Sequence, residues 1–211
     1  MTASVFKDMT QKIRTFFDNL AAEWDQSTCP QHSERLKTLV HRLNIPLQAK
    51  ILDVGSGTGV LLPLLAPPEQ YQRWVVAIDL AFLMMRAARR RTDCAQRRVL
   101  CVQTDVLTPP FRPETFDWVI CNSVFPHFLD QQACLHQLAW VLRPGGAFVV
   151  CHTQSREAIN EFHRSKGGLI GGHELPDMKD MELLFHRAGL HVQIHENTPE
   201  YYLITARKQT G

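Results

Sequence analysis

The chain has 211 residues, 45% of them apolar, which suffices for one α/β domain with a full core. Its 23 basic and 21 acidic residues leave a formal charge of +2, so nothing in the balance calls for a nucleic-acid partner. No apolar run reaches the roughly 18 residues of a membrane span, and residues 1–25 lack the continuous apolar core of a signal peptide. A cytoplasmic protein is the expectation. The six cysteines (29, 94, 101, 121, 134 and 151) contain no C-x-x-C pair, and reduced thiols fit that compartment.

In chain order, the hydrophobic periodicity predicts helices over 4–25 and 31–43, then alternating elements. These are a strand at 49–54, a helix at 58–66, a strand at 73–79, a helix at 81–91, strands at 98–104 and 116–121, a helix at 130–142 and a strand at 147–152. The basic run Arg86, Arg89-Arg90-Arg91 and Arg97-Arg98 reads as a solvated helix end. Arg143-Pro144-Gly145-Gly146 is a strong helix stop. Residues 153–176 are polar, with glycines and histidines, and read as an insertion over the sheet, either a mobile lid or an ordinary surface segment. A helix at 177–188 and strands at 190–196 and 201–207 follow, the last two joined by a link short enough for an antiparallel hairpin. Alternation of this kind predicts a doubly wound, mostly parallel sheet with helices on both faces.

The most informative stretch is Lys50-Ile51-Leu52-Asp53-Val54-Gly55-Ser56-Gly57-Thr58-Gly59-Val60. A strand ends in Asp53, and glycine then recurs at every second position before an apolar helix-like run. Glycine lets a backbone approach a nucleotide-like ligand closely. The spacing is not the G-x-G-x-x-G of a dinucleotide fold, which weakens a pyrophosphate reading and leaves Asp53 to meet a cation or an amine. In an open α/β sheet the ligand lies beyond the carboxyl ends of the strands. That rule selects Asp53 to Gly59, Asp79, Asp105, the stretch from Asn122 to His127, and His152.

The eleven residues resemble motif I of the class I S-adenosylmethionine-dependent methyltransferases of small-molecule type, close to methyltransferase domains 11 and 25. The resemblance implies a Rossmann-like seven-stranded sheet, mostly parallel with one antiparallel strand in the edge region, and S-adenosylmethionine as cofactor. It implies one methyltransferase domain over 1–211: a helical cover (1–45), a cofactor-binding core (46–152), a lid-like insertion (153–176), and a closing helix and hairpin (177–211). It places Asp53, Gly55, Ser56, Gly57 and Gly59 at the cofactor. Asp79 would take the ribose hydroxyls with Leu80 beside the adenine, Thr104, Asp105 and Val106 would contact the adenine, and Asn122 and Ser123 would run along the methionine end. Phe16-Phe17-Asp18 through Trp24-Asp25 resembles the F-D-x-x-A-x-x-W-D opening of many such enzymes, which makes Trp24 a wall of the acceptor pocket.

Two histidines are candidate bases. An imidazole titrates near working pH, so His127 or His152 beside the transferring methyl could take a proton from the acceptor. The competing reading has His127 merely packing at the start of the next helix. Arg156, His163 and His173 in the insertion are candidate acceptor contacts; the histidine spacings match no zinc pattern, so no metal is expected. The acceptor is expected to be a metabolite of quinone, thiol, halide or metalloid type. No N-P-P-Y or D-P-P-Y follows the fourth strand, which disfavours nucleobase or glutamine amino groups. The alternatives are a nicotinamide-dependent oxidoreductase and a non-catalytic cofactor-binding protein.

Overall fold

The computed structural model describes residues 3–27, 31–67, 72–91 and 98–210. Cys29, Cys94 and Arg97 lie outside the described residues. Helix α1 (Ala3–Leu20), a 3₁₀ turn (Trp24–Ser27) and α2 (His32–Arg42) precede the sheet. Then come β1 (Lys50–Val54), α3 (Leu62–Leu65), β2 (Trp74–Asp79), α4 (Phe82–Arg91), β3 (Val99–Gln103) and β4 (Phe116–Asn122). A second 3₁₀ turn (Phe125–His127), α5 (Gln131–Val141), β5 (Leu142–His152), α6 (Arg156–Lys166), α7 (Met178–Arg187), β6 (Leu190–Asn197) and β7 (Tyr202–Lys208) complete the order.

The seven strands form one sheet in the order β3-β2-β1-β4-β5-β7-β6. β1, β2, β3, β4 and β5 are parallel neighbours, and β7 runs antiparallel to both β5 and β6. The single reversed strand therefore lies one in from the edge, inserted by the C-terminal hairpin. From β1 the chain winds outward through β2 to β3, then returns to β4 on the other side of β1 and continues to β5, and this reversal opens a crevice at the carboxyl ends of β1 and β4.

Period-two alternation sorts the strand side chains onto two cores. Leu52, Val119, Cys121, Phe148, Val150, Tyr202 and Ile204 face α5 and α7. Ile51, Val75, Ala77, Ile120, Val149 and Leu203 face α2, α3 and α4. By the same parity His152 points to the α5 and α7 side. Three of the helices start on side-chain caps: Asp130 accepts from Ala133 N, Ser155 from Ala158 N and Asp177 from Asp180 N.

Four expected elements change in detail. The first helix stops at Leu20 instead of 25, and Trp24 begins a separate 3₁₀ turn. The helix expected at 58–66 shrinks to Leu62–Leu65, because positive φ at Gly57 and Gly59 holds the preceding residues in turns. The strand expected at 147–152 already begins at Leu142: Phe116 pairs with Leu142 and Trp118 with Ala147, so Arg143-Pro144-Gly145-Gly146 forms a bulge instead of a loop before the strand. The insertion contains a full helix, α6, whose buried stripe Ile159, Asn160 and His163 is too polar to stand out by hydrophobic period.

The ring of Phe185 on α7 is fully buried and meets Phe148 of β5 edge-on, centroids 5.3 Å apart. Phe185→Ala is expected to cost about 3–5 kcal/mol of stability. Urea denaturation of the two proteins, compared at equal slope, measures it.

Candidate functional site

The glycine turn leaves β1 with φ of 62° at Gly55, 56° at Gly57 and 83° at Gly59. Ser56 N donates to Ile78 O at 3.0 Å and Gly57 N to Asp79 Oδ2 at 2.9 Å, which ties the turn to the end of β2. A Cβ on Gly55 would stand 2.2 Å from Cγ2 of Val124, just past β4. The ends of β1, β2 and β4 are thus drawn together around a backbone that only glycine can supply.

Two carboxylates lie at this junction. Asp79 also accepts from Ala81 N at 2.8 Å, so both of its oxygens already hold backbone donors. Burial nevertheless pushes its carboxyl up to about 6, against the help of those donors. Asp53 is buried, and neither of its carboxylate oxygens has a hydrogen-bond partner among the described residues; the same is true of Ser56 Oγ. Burial, with Asp79 nearby, raises the Asp53 carboxyl well above the usual range. An unpaired buried acid beside a glycine turn is costly on its own and is suited to a cationic ligand group.

A cavity of about 210 Å³ opens from the turn. Its floor is the turn itself (Gly55, Ser56, Gly57) with Asp79, Leu80, Thr104, Asp105, Val106, Asn122 and Ser123. Its roof is α1 and the following 3₁₀ turn, through Phe6, Ile13, Phe17 and Trp24. The roof is fastened to the core by polar contacts: Asp18 Oδ1 accepts from Leu83 N at 2.6 Å at the start of α4, and Asp25 holds Thr58 and Arg91. His127, Phe128 and Cys134 form the far wall.

His127 is surrounded by aromatic and imidazole rings. Phe17 meets it edge-on at 5.0 Å, and the His163 and His173 rings lie 4.9 and 5.2 Å away. Its Nδ1 is 2.9 Å from His173 Nδ1, and the His163 Nδ1–H donates to the His173 carbonyl oxygen. Burial, then the neighbouring imidazoles, hold His127 well below the ordinary imidazole range. His152 is pushed down to about 3 by burial, and its Nε2 has no partner among the described residues. No group of three or more His, Cys, Asp or Glu among the described residues is arranged to hold a metal ion.

Of the residues selected from sequence, Gly55, Ser56, Gly57, Asp79, Leu80, Thr104, Asp105, Val106, Asn122, Ser123, Trp24 and His127 line one cavity. Asp53 and Gly59 stand behind the turn; a Cβ on Gly59 would meet Ala88 at 3.1 Å, so that glycine serves the packing of α4. His152, His163, His173 and Arg156 do not line the cavity. Arg156 instead donates to the carbonyls of Leu175 and Pro176. Sequence reasoning missed His32, which lines the cavity and is paired with Thr153 Oγ1 at 2.7 Å, and the α1 residues Phe6, Thr10 and Ile13. The apolar stripe of α1 carried a signal for burial; nothing local marks His32.

A family model described as a methyltransferase domain matches residues 52–150. The demethylmenaquinone methyltransferase of Bacillus licheniformis is 24% identical over 89% of this chain and 92% of its own length. The 2-phytyl-1,4-naphtoquinone methyltransferase of Thermosynechococcus vestitus is 29% identical over 73% and 68%. The demethylmenaquinone methyltransferase of Mycolicibacterium paratuberculosis is 32% identical, and there the alignment spans 58% of the relative. Among solved structures, an S-adenosylmethionine-dependent methyltransferase from Aquifex aeolicus superposes with a TM-score of 0.71 at 19% identity, covering 88% of this chain and 97% of that one. The [4+2]-cyclase SpnF superposes at 0.78 and 16% identity, covering 96% and 97%. With the motif series, the sheet order and the cavity at the glycine turn, residues 52–150 carry a methyltransferase domain, and the chain as a whole has the fold of an S-adenosylmethionine-dependent methyltransferase.

Proposed function

We propose that the acceptor is a flat, hydroxylated aromatic of quinol type, and that His127 takes its proton. The observation that carries this reading is a ring nitrogen at the wall of an aromatic-lined cavity that also holds the glycine turn. His127 Nδ1 is engaged by His173, which leaves Nε2 for the cavity. Phe6, Phe17, Trp24 and Phe128 suit a planar apolar ring. The names of the quinone-methylating relatives favour the same class. A metalloid acceptor, which would want several positioned cysteines, is less well served, because Cys121 and Cys151 are buried in the sheet and Cys134 alone of the three reaches the cavity wall.

Bound S-adenosylmethionine supplies an electrophilic methyl on a sulfonium that leaves readily. The chain's task is to align, to exclude water and to move one proton. Ser56 faces the cationic methionine end, with the backbone of Gly55 and Gly57 alongside, and Asp53 contributes its charge from behind the turn. Asp79 and Leu80 receive the ribose and adenine, Thr104, Asp105 and Val106 border the base, and Asn122 and Ser123 border the methionine chain. His127 Nε2 accepts the hydroxyl proton, which makes the oxygen, and the ring carbon conjugated to it, electron-rich. His152 is a weaker candidate, since it does not line the cavity. The same reading takes 1–211 as one catalytic domain, working in the cytoplasm without nucleic acid; the alignment over 89% of the chain and the buried thiols of Cys121, Cys134 and Cys151 favour it.

Incubation of the protein with S-adenosylmethionine and an anaerobically reduced naphthoquinol is expected to yield the product one methyl group heavier, read by mass spectrometry. His127→Ala should lower kcat by roughly 10²–10⁴-fold while S-adenosylhomocysteine still binds. Methyl transfer to thiols or halides but to no quinol would overturn the acceptor class.

Asp79 gives a pH dependence with a definite sign. Its carboxyl is raised from 3.8 to about 6 in the folded protein, so the group contributes stability that is complete below pH 3.8 and is lost as pH rises through 6. Urea titrations of the ligand-free protein across that window should show the decline, and Asp79→Asn should flatten it. Ribose binding needs the ionised form, so S-adenosylhomocysteine affinity should fall as pH drops below 6. In Asp79→Asn the affinity should be about 10- to 100-fold weaker and insensitive to pH over this range, as read by calorimetry.

A further inference from the structure

The insertion puts a second imidazole onto His127, and the geometry points to a base-and-orienter pair. We propose that His173 is a positioning residue that holds His127 in the one tautomer able to accept a proton from the acceptor. The proposal rests on the reading of His127 as the base.

Only one hydrogen can lie between two neutral imidazole nitrogens 2.9 Å apart. If His173 supplied it, His127 would carry its own hydrogen on Nε2 and present a donor to the acceptor's hydroxyl. If His127 supplies it, His173 Nδ1 accepts, and the lone pair of His127 Nε2 faces the cavity. The second arrangement alone gives a base, and it requires His173 to carry its hydrogen on Nε2. Because His173 is half-buried, that N–H can reach water. When His127 takes the proton, the bond between the rings becomes charge-assisted, which stabilises the imidazolium as a third group does for other catalytic histidines. Among the described residues, the groups packed around His127 are Phe17, His152, His163 and His173, and none of them is a carboxylate.

His173 is fixed in place by several contacts. The His163 Nδ1–H binds its carbonyl oxygen. Two residues on, Leu175 and Asn160 exchange a buried reciprocal pair of hydrogen bonds at 2.8 and 3.0 Å, and Glu174 pairs with Arg164 at 2.8 Å. These contacts staple the segment after α6 back onto that helix, and the stapled segment carries the ring of His173 to His127. The insertion thereby supplies a part of the site that the core strands lack.

The test compares two acceptors on the intact protein: a naphthoquinol whose hydroxyl is protonated at the assay pH, and a nitrated analogue whose hydroxyl is already ionised and needs no base. His173→Leu is expected to lower kcat about 10- to 100-fold on the first and less than about 3-fold on the second, with KM for S-adenosylmethionine unchanged. His173→Asn, whose side-chain oxygen stands where Nδ1 stood and can accept from His127, should restore most of the loss. Should His173→Leu fail to fold, His173→Ala replaces it, with thermal melting as the control. Equal losses on both acceptors, no loss on either, or an Asn variant as impaired as the Leu variant would each overturn the orienting role. His127→Ala keeps the two readings apart. If it is selective for the protonated acceptor while His173→Leu is not, the base stands and the orienter falls; if His127→Ala itself shows no selectivity, the base reading fails.

Discussion

The hydrogen bond from Gly57 N to Asp79 Oδ2 is the contact on which the site depends. It fastens the turn after β1 to the end of β2, and the missing Cβ of Gly55 lets Val124, beyond β4, close in from the other side. Three strand ends then enclose one small volume at the reversal of strand order. The energetic consequence is a concentration of like charge. Asp53 is buried next to the half-buried Asp79, and neither Asp53 oxygen has a hydrogen-bond partner among the described residues. A buried acid left without such a partner, as Asp53 is, is suited to positive charge from outside the chain.

The walls of the cavity come from segments that do not belong to the sheet. α1 lays an apolar face over the turn and is held by Asp18 and Asp25, whose carboxylates bind the start of α4, Thr58 and Arg91. The insertion backs the far wall, where the rings of His163 and His173 pack against His127. The roof of the cavity therefore comes from a helix outside the sheet, while its floor comes from the strand ends and the turns that follow them. The superposition with a [4+2]-cyclase shows that a shared fold does not by itself decide which bond is made.

The burial of the imidazoles has a chemical meaning. Each of His127, His163 and His173 is held below its ordinary range chiefly by desolvation, so the group stays neutral where a quinol hydroxyl would be protonated. A neutral ring is the form that can accept a proton, and the aromatic enclosure that depresses its basicity also excludes competing water. The two effects oppose each other, and a hydrogen-bond partner on the far nitrogen offsets part of the lost basicity.

Local sequence sufficed for the strands, the glycine turn and the acids at the strand ends, because each is written within a few residues: period-two apolar runs, glycines where φ is positive, and carboxylates just past them. The bulge at Arg143 to Gly146 misled the reading because a Pro-Gly-Gly stop looks the same whether the chain leaves the sheet or only buckles within it. α6 was hidden because its buried face includes Asn160 and His163, whose partners, the backbone of Leu175 and of His173, lie across a loop. His32 had no signal at all, since its place in the cavity follows from how α2 packs on β5 and Thr153. What the sequence alone determined was the set of residues gathered at the strand ends around the glycine turn; the pairing of His127 with His173 was decided only by tertiary packing, because residues far apart in the chain meet there and no local pattern encodes their distance.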